Sequence, residues 1–261
     1  MLGYLLKTSD LATLFRFVSA DFFKVVPVSD LLSLGTQLRR HADDHAAFAA
    51  ACAGLDAHLV GANLTLRVTD TKRSAGASGE SAMRAATAAL DLFFFQILTS
   101  ETWLLDFRAS AFAAPEADVV TWSPQALWWS PSPAFRDGTR ELYAGFYTGD
   151  VPRFDRALAT LGLAAAKKPL EAHFGLGDQR AVRFELKTFQ GTFAAVFDAC
   201  RRAGTSIPPE FAVLGIMLLT LYENLEQHGL VFDVRAAFDR AFAAAGRSAL
   251  GTPRKSPATV R

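Results

Sequence analysis

Two groupings of side chains in this sequence could do chemistry. His41-Ala-Asp-Asp-His45 sets two imidazoles four residues apart. On a helix that is about one turn, a spacing that can share a divalent metal. Asp44 lies between them, and a third ligand such as His58 or Glu171 would have to arrive through the fold. The competing reading is a solvated polar face at a helix start. The second grouping is aromatic: Trp122, Trp128 and Trp129, followed by Phe135, Tyr143 and Tyr147. Indoles favour boundaries where a large apolar body is buried and the N–H still finds a partner. Trp122, Trp128, Trp129 and Tyr143 are therefore the candidate lining of a surface for an apolar small molecule or a protein partner. Against this stands simple packing of an irregular segment onto a core.

Other chemistries find no footing. Gly175-Leu-Gly177 lacks the preceding strand, the third glycine and the lysine of a phosphate loop. Cys52 and Cys200 sit in alanine-rich helical patterns; Arg201 and Arg202 fall off the apolar face that carries Cys200, so neither thiol has a basic setting that would lower its pKa. Basic residues do not interleave with aromatics, and the net charge is +1, so no nucleic-acid partner is expected. No cofactor is predicted by the leading reading. The N-terminus, MLGYLLKTSDL, lacks a basic lead and a long apolar core, so a cytoplasmic protein is expected. No transmembrane segment is expected, and peripheral membrane association stays open.

The elements that must position these residues are mostly helical. The clearest stretch runs from Phe184 to Val234. Leu186, Phe189, Phe193, Val196, Phe197 and Cys200 recur at spacings of three and four, one face of a helix that Gly204 ends. A second helix is expected from Pro208-Pro209, with Glu210 in its first turn and Leu214, Leu218, Leu221 and Leu225 along its seam. The unbroken apolar run, Phe211 to Tyr222, falls short of the roughly 20 residues a bilayer needs, so burial is favoured. Together these form a helical hairpin over 184–228. Further helices are expected around Leu11–Phe22, at Leu31–Gly35, and from about His41 to Leu59. Others are expected over 82–99, 134–147 and 151–163, and in a last helix carrying Phe232, Phe238 and Phe242. Alternation over 63–70 and the segment 103–111 suggest one small β element. Residues 113–135, with four prolines, read as irregular, and 167–179 as a connection. The expectation is a mainly α, multi-helix globular domain over 1–245, with a possible break at the 71–81 loop. A disordered basic tail is expected over 246–261.

The hairpin also carries a family resemblance. An aromatic-rich helix, a glycine turn, then Ile207-Pro208-Pro209-Glu210 before a leucine-rich helix resembles the C-terminal helical part of the UbiB/AarF atypical kinase-like family. The helix pair around Gly149-Asp150 extends the likeness over 140–234. The resemblance implies an ATP–magnesium enzyme, with Asp56 and Asp106 as its candidate catalytic carboxylates. Asp56-Ala-His58 followed by Gly61 and Asn63 resembles the family's D-x-H-x-G-N loop, with the asparagine two positions late. Asp106-Phe107 resembles a D-F-G metal motif, with Arg108 in place of the glycine. The family's K-x-G-Q signature and its nucleotide lysine are absent. The leading expectation is thus a non-catalytic helical protein, a degenerate kinase-like relative, that binds a partner or an apolar small molecule. A divergent UbiB/AarF-type ATP-binding enzyme and a His41/His45 metal-binding protein are the alternatives.

Overall fold

The computed structural model describes residues 26, 28–69, 79–116, 119–175 and 181–251. The helix expected around Leu11–Phe22, most of the 71–81 loop and the end of the expected tail, 252–261, lie outside the described residues. The fold is mainly α, with nine helices among the described residues and only small sheets.

The hairpin is built as its pattern dictates. Helix α7 (Leu186–Ala203) ends at Gly204, whose φ of 67° is the left-handed cap that glycine adopts without a Cβ clash. Helix α8 (Glu210–Gln227) begins one residue after Pro209 and is buried on nearly every side from Phe211 to Leu225. Against it runs α3 (Glu80–Thr99), whose Leu90 and Leu92–Leu98 are all buried. By length and composition α3 would reach across a bilayer, yet 67% of its apolar window is buried inside this fold. Helix α9 (Val234–Gly251) lies along α3, tied by a bidentate Arg240–Asp91 ion pair. It extends past Gly246, where the sequence suggests the tail begins.

Helices α4 (Pro133–Thr148) and α5 (Val151–Thr160) form a second hairpin. Gly149 turns it at φ 75°, and the Asp150 carboxylate caps α5 by accepting from Arg153 N at 3.0 Å. The two helices touch at Gly145. A Cβ there would lie 2.6 Å from Phe154 N, so only glycine permits the approach. Glu210 joins the two hairpins. Its carboxylate accepts from Ser132 N and Ser132 Oγ, at 2.6 and 2.9 Å, linking the starts of α4 and α8. In the Ile-Pro-Pro-Glu stretch this glutamate is therefore structural.

Several expectations are corrected. Helix α1 (Val28–Asp43) runs through Gly35, a cost of about 1 kcal/mol that packing of Leu34 and Leu38 overrides. It stops at Asp44, which instead caps α2 (His45–Gly61) by accepting from Ala47 N at 3.0 Å. The 63–70 segment does supply β1 (Leu66–Val68), but its partner is β4 (Val119–Trp122), in parallel. Strand β3 (Phe112–Glu116) completes that sheet, with Pro115 where the register shifts, a place in a sheet that tolerates proline. Short β2 (Trp103–Leu104) pairs separately with β5 (Trp128–Trp129). Beyond β2, Leu105 N still donates to Leu127 O, while Leu105 O and both backbone groups of Phe107 are taken by Thr220 and Asn224 of α8. Residues 167–174 are helix α6 (Lys167–Phe174), with Pro169 in the first turn, where its missing N–H costs nothing. Phe232 sits in β7 (Val231–Asp233), antiparallel to β6 (Ala181–Arg183), so the last helix starts after it.

Candidate functional site

The residues singled out as carboxylate catalysts are occupied by the fold. Asp56 on α2 accepts from Val68 N at 2.8 Å and so fastens β1 to that helix. Asp106 is 2% exposed. Its two oxygens accept from Arg108 Nε and Nη2 at 2.7 and 2.9 Å and from Gln125 N at 2.8 Å. A carboxylate so engaged turns a buried loop and has a cation where a metal would need room. The helix break at Asp44 ends the one-turn relationship of His41 and His45. His41 stacks on Trp128 at 4.3 Å, and exposed His45 opens the next helix. Among the described residues no group of three or more His, Cys, Asp or Glu could hold a metal ion.

The indoles serve the core. Trp122 is wholly buried against Phe107 and Phe112, and its Nε1–H donates to Asp106 O at 2.9 Å. Trp128 donates to His41 O at 2.9 Å, and Trp129 faces Trp103 across the β2–β5 ribbon. Asp106, Trp122 and α8 belong to one clasp. Thr220 Oγ1 accepts from Phe107 N at 3.2 Å and donates to Leu105 O at 2.8 Å. Asn224 Nδ2, one turn on, donates to Phe107 O at 2.9 Å. The polar residues of an otherwise apolar helix thus satisfy buried, non-ladder backbone.

Of the four proposed lining residues, Tyr143 alone reaches an open recess. That recess lies among α3, α4, α6 and α8, beside the β6–β7 ribbon. Phe93 and Phe94 come from α3, Tyr143 and Tyr147 from α4, His173 from α6 and Tyr222 from α8. It holds about 390 Å³ of empty space, counting its mouth, and none of the three indoles lines it. The part that admits the centres of water molecules is about 30 Å³, room for about two waters. No carboxylate, lysine or arginine lines it.

Its electrostatics follow from burial. Desolvation raises the Tyr143, Tyr147 and Tyr222 phenols above their usual range, so all three stay neutral. The same cause lowers His173 to about 4, leaving a neutral imidazole at pH 7. His173 keeps some exposure as a residue, but its ring is enclosed by Phe174, Phe189, Phe193 and Tyr222. Tyr222 Oη meets His173 Nδ1 at 3.4 Å, and Tyr147 Oη donates to Phe174 O at 3.4 Å. Tyr143 is 3% exposed and edge-on to Phe93 and Phe94. Its hydroxyl has no hydrogen-bond partner among the described residues and is not sealed off from open space. The recess therefore offers apolar walls and neutral hydrogen-bonding groups, the usual composition of a small-molecule site.

Neither a family model nor a curated protein matches the chain. The sequence does not single out His173, Tyr222 or the α3 phenylalanines as a site, and it names Tyr147 only within the aromatic grouping. One signal was available: Tyr143 and Tyr147, four apart, share a helix face that also carries Phe146's neighbour Leu142.

Proposed function

We propose that this chain is a non-catalytic binding protein for a small apolar molecule, held in the recess among α3, α4, α6 and α8. The observation that carries the reading is the aromatic recess itself, with three neutral phenols and a neutral imidazole and no charged lining. Burying an ion there would cost several kcal/mol without compensation. Apolar surface transferred into it gains about 25 cal/mol per Å². The catalytic and metal-binding alternatives draw no support from Asp56, Asp106 and His41, which have structural partners, or from His45, which lies exposed at a helix start.

The test uses xenon as a neutral apolar probe on the scale of the recess, read by xenon NMR on the full chain. Saturable binding is expected. Val182, half-buried at the recess edge, can be replaced by tryptophan to fill the mouth. Val182→Trp should weaken xenon binding at least about tenfold, a difference of about 1.4 kcal/mol. Absent saturable binding, or binding untouched by a folded Val182→Trp, rules the reading out.

A further inference from the structure

We draw no further inference here: the strongest candidate, the alanine-rich outer face of α2 on which Ala46, Ala50, Ala53, Ala57 and Val60 are exposed, is a stripe of small residues, and nothing in the structure shows what covers it.

Discussion

Replacing Thr220 with valine removes one hydroxyl and keeps the side chain's shape. In this fold that hydroxyl serves two backbone groups of another part of the chain, Phe107 N and Leu105 O. Leu105 and Phe107 are both 0% exposed and Thr220 is 5% exposed, so water cannot take its place. Each buried group left unpaired costs roughly 1–3 kcal/mol, and the added methyl returns a fraction of that. The expected loss is about 2–4 kcal/mol, a large share of a typical total of about 5–15 kcal/mol. Equilibrium unfolding in urea would measure it as a lower midpoint with an unchanged slope, since the surface exposed on unfolding is the same. Thr220→Ser keeps the hydroxyl and should recover most of the loss. If Thr220→Val costs under about 0.5 kcal/mol, the range of ordinary surface changes, the clasp does not hold the 105–107 backbone.

Two more perturbations follow from geometry already described. Gly145→Ala places a methyl 2.6 Å from Phe154 N and 2.9 Å from its Cα. The helix pair must then separate, at roughly 1–3 kcal/mol, although alanine is the better helix former. A thermal midpoint equal to or above wild type would contradict this. His173 is lowered from 6.5 to about 4 by burial, so the unfolded chain binds the extra proton first. Its contribution is complete above pH 6.5 and is lost as the pH falls toward 4, by up to about 3 kcal/mol. Urea midpoints measured from pH 7 to 4 should fall more steeply in wild type than in His173→Phe. Parallel curves would show that the imidazole is not desolvated.

The helical frame was legible because its information is local. The seam of α7 and the apolar run of α8 state their burial in spacing alone, Gly204 marks the end of α7, and Asp150 marks the start of α5. The small sheet was not, because the partner of Leu66 is Val120, far along the chain, and parallel pairing leaves no turn signature between them. Helix α6 was hidden by its length: Lys167–Phe174 is too short to show a period, and Pro169 reads as a break unless the helix start is known. The recess was hidden more deeply. In the sequence Tyr143 groups with the aromatics of its own segment. Its neighbours in space are Phe93, Phe94 and Phe174, with His173 and Tyr222 on the same recess. Asp56 and Asp106 stand out in the sequence through motif likeness alone, whereas in the fold Asp56 holds Val68 N and Asp106 holds Arg108 and Gln125 N.

The clasp between residues 105–107 and α8 bears on how the chain is made. Phe107 meets Thr220 across 113 positions and Asn224 across 117. During synthesis the first partner exists long before the second leaves the ribosome. At about 5–20 residues per second, the nascent chain spends several seconds with those backbone groups and the apolar face of α3 uncovered. A helical protein of this kind cannot complete itself from the N-terminus. The backbone around Phe107 gains its partners only when a helix 113 positions later has been made.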